Sequence, residues 1–368
     1  MGPAAGIALL GLALIVTGGL FDAEPLYVPG AAFVALGVVV PLWLHVAARG
    51  ARVSREITAR RVVEEDPFEV LLTVKAGVLP PLGGRIADPL VPEGVPAPLV
   101  APGGSPGHVR LTVRFGRRGR RRLGPPSLVF RDPLGLARVS VAGEGEHDVL
   151  VLPRIGPVQF STEGGAARAG RAPALVASAA MEVDGLRPYR EGAPASRIHW
   201  PAFARGAGLI ERRLRGESDS RPLVVLDARS ADDPEDLDAA VRAAASLCHE
   251  LAKAGGCSLL LPGDRRGTVV DADLGGWPAL HARLALVEGG PGTPPPSAAA
   301  GEGRRGPVVY VSARRVTRLP AAYSASRGTR YLVVPGALPR RAATFAVTGC
   351  HGYALTRAER AAEAGAAA

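Results

Sequence analysis

Leu223-Val224-Val225-Leu226-Asp227 is the stretch on which the fold turns. Four apolar residues lead to one carboxylate, and Pro234 follows a short polar loop. An unbroken apolar run of this length is a strand buried on both faces, which requires a sheet covered by helices. Beyond it, Leu237, Val241, Ala244, Leu247, Cys248 and Leu251 recur at helical spacing. Pro234 suits the first turn, and Gly255-Gly256 stops the helix. Strand candidates follow at Ser258–Leu261, Thr268–Val270, Val308–Val311, Tyr331–Val334 and Thr344–Val347, with a helix at Trp277–Val287 and an Ala/Glu/Arg helix from Leu355. This alternation predicts a mostly parallel sheet over residues 221–368. Ligands of such sheets sit beyond the carboxyl ends of the strands, so Asp227, Ser312 and Pro335 mark the edge of interest.

Working back from Leu223, residues 183–220 are dense in Arg and carry Tyr189, His199, Trp200 and Phe203. With aromatics at only 5% of the chain, this cluster is expected to anchor the Arg segment on the α/β domain. Residues 161–182 are Gly/Ala/Ser-rich and aperiodic, a linker by composition. Across 49–160 the period changes to two. Val109, Leu111, Val113 and Phe115 alternate with Arg110, Thr112, Arg114 and Gly116, and Phe68, Val70, Leu72 and Val74 also recur at every second residue. Several short strands separated by Pro/Gly-rich turns predict a β-sandwich.

Residues 1–48 form two uncharged stretches separated by Asp22 and Glu24. Each approaches the roughly 20 residues that span a bilayer as helix. Arg49, Arg52, Arg55, Arg60 and Arg61 follow, against Glu56. The positive-inside bias places this flank, and with two spans both termini, in the cytoplasm. No basic segment precedes the first apolar run, as a cleaved signal would require. A helical hairpin inside a soluble core is the competing reading.

Composition narrows the function. The chain has 368 residues, 44 basic against 34 acidic side chains, and 47% hydrophobic residues, which excludes a disordered polyelectrolyte. Three cysteines and no C-x-x-C pair exclude a disulfide scaffold and a zinc finger. Phosphate-loop, dinucleotide, His-Glu-x-x-His and Gly-x-Ser-x-Gly signatures are absent. Arg110–Arg122 and Arg187–Arg215 each hold seven arginines, and Trp200 could stack a base. Without a nucleic-acid motif, attraction to an anionic inner leaflet is the better account of that charge.

Three motifs occur in order: Arg117-Arg118-Gly119-Arg120 through Asp132-Pro133-Leu134-Gly135-Leu136; Gly185-Leu186-Arg187-Pro188-Tyr189-Arg190-Glu191-Gly192 through Ser196-Arg197-Ile198-His199-Trp200 and Ala204-Arg205; and Leu223–Asp227. This order resembles the DUF58 family, membrane-anchored bacterial proteins with a von Willebrand factor A-like domain. The resemblance covers nearly the whole chain. It departs at Ala193 and His199, where the family pattern has aspartates. The implied architecture is a transmembrane helical hairpin, a β-sandwich, and a Rossmann-like, von Willebrand factor A-like α/β domain with a degenerate metal site. A metal-binding A domain has Asp-x-Ser-x-Ser after its first strand. Here the stretch is Asp227-Ala228-Arg229-Ser230-Ala231, which keeps only the aspartate, so no metal or other cofactor is expected.

The resemblance implies a membrane-anchored, cytoplasm-facing adaptor working with a MoxR-type AAA+ ATPase in assembly or maturation of envelope complexes. Arg187, Tyr189, Arg190, Arg197, His199, Trp200 and Arg205 are its candidate partner-binding residues, by the enrichment of Arg, Trp and Tyr at interface hot spots. The alternatives are a hydrolase using a strand-end pocket around Asp227, and a basic module binding anionic lipid or nucleic acid.

Overall fold

The computed structural model describes residues 2–79, 84–98, 100–160, 183–188, 200–206, 208–214, 221–231, 233–301, 304, 306–324, 328–339 and 341–355. The expected linker at 161–182, the expected tail helix beyond Leu355, and Tyr189, Arg190, Ala193, Arg197 and His199 lie outside the described residues. The chain divides into two compact units, residues 1–116 with 120–150, and residues 117–119 with 151–368.

The first unit opens with α1 (Pro3–Leu20) and α2 (Tyr27–Ala48), both long and apolar enough to cross a membrane. Their large side chains point outward: Leu9, Leu10, Leu12, Val16, Val38, Val39 and Leu42 are all exposed. A helix that is apolar all round belongs in a protein core or in lipid, and only 11% and 17% of these two spans is buried. The two helices are therefore mostly unburied within this unit. It closes through small residues. A Cβ on Gly11 would lie 2.6 Å from the Gly30 carbonyl oxygen, so the backbones approach as they do at small-residue membrane interfaces.

Ten strands follow, β1 (Arg52–Ile57), β2 (Arg61–Val63), β3 (Phe68–Lys75), β4 (Gly84–Asp88), β5 (Val91–Pro96), β6 (Gly107–Val113), β7 (Gly119–Leu123), β8 (Ser127–Arg131), β9 (Arg138–Ala142) and β10 (His147–Leu152). They form three small sheets, ordered β1-β3-β6, β5-β4-β8-β9 and β2-β10-β7. The period-two reading of β3 holds: Val70, Leu72 and Val74 are buried between half-buried and exposed neighbours. Val53 of β1 and these three residues share one core with Ile86, Leu128 and Phe130 of the second sheet, and with Leu44 and Ala48 of α2. The base of the hairpin is thus built into the β core. One charged group crosses that core. Arg55, almost wholly buried, donates to Asp88 at 2.9 Å and to the carbonyls of Leu123, Gly124 and Gly145 at 2.9–3.0 Å.

The second unit is built on an eight-stranded sheet. Its strands are β11 (Gln159–Phe160), β14 (Leu223–Asp227), β15 (Cys257–Leu260), β16 (Thr268–Val270), β17 (Val308–Ser312), β18 (Arg330–Pro335), β19 (Phe345–Val347) and β20 (Cys350–Ala354). The order is β11-β19-β20-β18-β17-β14-β15-β16. β14, β15, β17 and β18 run parallel and are almost entirely buried. The expectation of a mostly parallel sheet needs correction, because β16, β20, β19 and β11 all pair antiparallel. For β19 against β20 the reason is local. β19 and β20 are joined by Thr348 and Gly349, both at positive φ, a two-residue turn that forces a hairpin.

The helix α4 (Pro234–Lys253) packs on this sheet, capped by Asp233, whose carboxylate accepts the Glu235 N–H at 2.9 Å. α5 (Trp277–Ala285) follows, and a short helix α6 (Ala321–Ser324) precedes β18. The Arg segment forms a separate two-stranded ribbon, β12 (Val183–Pro188) with β13 (Ile210–Leu214), carrying the short helix α3 (Trp200–Ala204).

All three cysteines are free and buried, with the Sγ atoms of Cys248 and Cys257 3.3 Å apart. Burial pushes the Cys350 thiol up to about 12, and the contact with Cys257, then burial, push Cys248 well up. Thiolate is the reactive form. A maleimide is therefore expected to label none of the three in the native protein and all three after unfolding, counted by intact mass.

Candidate functional site

The carboxyl ends of β14, β17 and β18 place Asp227, Ser312 and Pro335 along one edge of the sheet. Asp227 is the chemical centre of that edge. Its Oδ1 accepts the Arg229 Nε at 2.9 Å and the Arg229 backbone N–H at 3.2 Å. Its Oδ2 accepts Arg229 Nη2 at 2.9 Å and the Tyr310 hydroxyl at 2.5 Å. Tyr323 packs on Tyr310 with ring centroids 5.3 Å apart and donates its hydroxyl to the Ser297 carbonyl at 2.7 Å.

The electrostatics follow from this geometry. Burial would push the Asp227 carboxyl up, but the bonds from Arg229 and Tyr310 outweigh burial and hold it below the ordinary carboxylate range. Burial first, then the bond to Asp227, raises the Tyr310 phenol. Burial, then the Asp227 charge, raises the Tyr323 phenol. Asp227 is thus an ionised carboxylate with both oxygens engaged. A general base needs a free lone pair and a pKa near the working pH. A cation approaching Asp227 would have to displace a bidentate guanidinium that neutralises it already.

Sequence reasoning singled out Asp227 and Arg229 but missed Tyr310. Its signal was present: a phenol inside the apolar run Val308–Val311 must find a hydrogen-bond partner when buried. A hollow of about 350 Å³ does lie at the end of β15, lined by Leu261, Arg283, Glu288 and Thr293 among others, and its lining does not include Asp227.

The basic run at 110–122 is largely committed. Arg118, in the short stretch that belongs to the second unit, donates to Asp238 at 2.7 Å and to the Val287 carbonyl at 2.7 Å. Arg117 reaches the other Asp238 oxygen at 2.8 Å. Arg110 and Arg122 lie 3.8 and 3.7 Å from Glu69 and Asp148.

The Arg/aromatic ribbon differs from expectation. Trp200 is 55% exposed and Phe203 49% exposed, so they do not anchor the segment on the α/β domain. They meet each other instead, edge to face, with centroids 6.1 Å apart. The five-residue helix is too short to bury a face, so both rings remain in solvent. Leu209 and Arg205 are exposed beside them in sequence, and Arg187 lies on β12 opposite Glu211.

No protein-family model matches this sequence, and no curated protein is recognisably similar to it. The chemistry of the two sites must therefore be read from their own geometry. One is a strand end closed by its own arginine. The other is a two-stranded ribbon whose short helix leaves two large aromatic residues about half exposed.

Proposed function

We propose that this chain is a membrane-anchored, cytoplasm-facing adaptor that binds a protein partner through the Arg/aromatic ribbon. The observation that carries this reading is the exposed Trp200–Phe203 pair. Exposed Trp with neighbouring Arg is the composition of interface hot spots, and apolar surface left in water favours burial by a partner. The apolar hairpin, with its outward-facing Leu and Val side chains, supports the anchor. The order β16-β15-β14-β17-β18, a doubly wound arrangement, supports a von Willebrand factor A-like reading of the second unit. The Asp227–Arg229 pair supports a domain that works without a metal there. The resemblance stated above supplies the partner, a MoxR-type AAA+ ATPase acting in envelope assembly.

Affinity capture of the full chain from native membranes in mild detergent, with and without ATP, tests this reading. Wild type is expected to retain an AAA+ ATPase. A Trp200→Ala variant should lose it by roughly 30-fold or more, the effect of a hot-spot residue worth about 2 kcal/mol. Equal recovery with the variant removes the ribbon as the docking surface. Recovery of no ATPase with either protein removes the partner.

A further inference from the structure

The open face of the β5-β4-β8-β9 sheet carries a hollow of about 400 Å³ lined by Arg85, Arg131, Arg138 and Glu93 among others. Its charge arrangement is unusual. Arg131 and Arg138 are direct cross-strand partners, and Arg85 pairs with Val129, two residues from Arg131 on the same face. Like charges directly opposite on a sheet are destabilising. Among the described residues, none of the three arginines has a hydrogen-bond or ion-pair partner. Three guanidiniums and one carboxylate leave the hollow two positive charges in excess. Guanidinium forks match the oxygens of phosphate in geometry as well as charge.

The position of this hollow selects among phosphates. β9 continues into a parallel bridge between Ser54 and Glu144, with the Glu144 N–H on the Val53 carbonyl at 3.0 Å. Arg138 precedes Glu144 by six residues, about 20 Å of extended chain. Counted from Ser54, that distance leads back past the start of β1 toward the base of the hairpin. α2 indeed packs against β8 and β9. The β8–β9 turn therefore lies at the hairpin end of the unit, flanked by Arg131 and Arg138.

The turn itself is rigid and apolar at its tip. The buried Asp132 accepts the N–H groups of Leu134 at 2.9 Å and Ala137 at 2.5 Å, and Gly135 takes the positive φ. Leu134 is left 64% exposed. An exposed leucine between two unpaired arginines, at the membrane end of an anchored unit, is the pattern of an interfacial contact.

We propose that Arg85, Arg131 and Arg138 bind the phosphate headgroup of an anionic phospholipid, with Leu134 entering the bilayer interface beside it. A phosphomonoester headgroup, as in phosphatidic acid, matches the two excess charges best. This proposal rests on the membrane-anchor reading given above.

The test titrates the full chain, in mild non-ionic detergent, with short-chain phosphatidic acid, short-chain phosphatidylcholine, or inorganic phosphate at matched ionic strength. The thermal midpoint is the readout. Phosphatidic acid should raise the midpoint of wild type, and phosphatidylcholine should not. In the Arg131→Gln, Arg138→Gln variant the apparent affinity for phosphatidic acid should fall about 30-fold, from about 1 kcal/mol per arginine. Arg138→Glu converts a repulsive pair into an attractive one. It should melt above wild type without ligand and gain nothing from phosphatidic acid.

Equal stabilisation of wild type and the double variant overturns the proposal. So does inorganic phosphate matching the lipid, which would make the hollow a soluble-phosphate site. Alkaline carbonate washing of phosphatidylcholine vesicles carrying the protein tests the anchor separately. Retention without a phosphatidic acid effect removes the headgroup site and leaves the anchor. Release removes the anchor itself.

Discussion

Replacing Arg55 by Ala is expected to unfold the β region or leave it barely stable, at a cost of about 3–5 kcal/mol. Arg55 and Asp88 are 0% and 1% exposed at their side chains, so water cannot replace either partner. The substitution removes one charge and strands the other in the core. It also orphans the carbonyls of Leu123, Gly124 and Gly145, which converge on one guanidinium nitrogen. Those carbonyls lie at the end of β7, just past it, and just before β10, so the arginine ties the ends of these two paired strands to β1 and, through Asp88, to β4. Chemical denaturation of the detergent-solubilised chain should show the loss in midpoint. The double change Arg55→Met, Asp88→Leu should recover part of it, because an apolar pair leaves no buried charge. If Arg55→Ala unfolds at the wild-type denaturant concentration, the ion pair contributes nothing to stability.

Arg55 also shows where sequence reading stops. It sits among Arg49, Arg52, Arg60 and Arg61, and by composition all five read as a cytoplasmic basic flank. Only the long-range pairing with Asp88, thirty-three residues away, distinguishes it. Local pattern reveals elements whose burial is periodic. β14, α4, β16 and β17 all lie within a residue or two of their expected positions, because continuous or 3.6-spaced apolar residues leave few alternatives. β20 escaped because Cys350-His351-Gly352 has no alternation and contains a glycine, whose added Cβ would fall 2.2 Å from the Phe345 ring. The glycine is there for a cross-strand neighbour on β19, which is information the local sequence does not hold.

The sites follow the same division. Asp227 and Arg229 are two residues apart, and their opposite charges are readable together. Tyr310 closes the site from a strand eighty-three residues later and is invisible without the sheet order. Trp200 and Phe203 depart from the rule that rare aromatics belong to the core. Here the helix that carries them is too short to have a core side. The hollow at Arg131 and Arg138 is legible only from register, which turns two distant arginines into direct neighbours.

Asp227→Ala is expected to destabilise the second unit by about 1–3 kcal/mol, the cost of leaving a buried hydroxyl without its acceptor. Tyr310 is 1% exposed and its hydroxyl would lose the Asp227 oxygen. Arg229 contributes less to the loss, because its side chain is 39% exposed and water can take over its hydrogen bonds. Asp227→Asn should cost less than Asp227→Ala, since the amide oxygen still accepts from Tyr310. The pair also sets an acid dependence. The folded Asp227 carboxyl titrates below its unfolded value of about 3.9, so the unfolded chain takes up the proton first as pH falls. Its stabilisation is therefore complete above about pH 4–5 and drains away as pH drops through the depressed folded value. Denaturant midpoints measured from neutral pH down to pH 3 should fall more steeply for wild type than for Asp227→Asn, the gap between the two curves narrowing toward the acid end. Parallel curves would mean that Asp227 carries no proton linkage, and that Arg229 closes the strand end by shape rather than by charge.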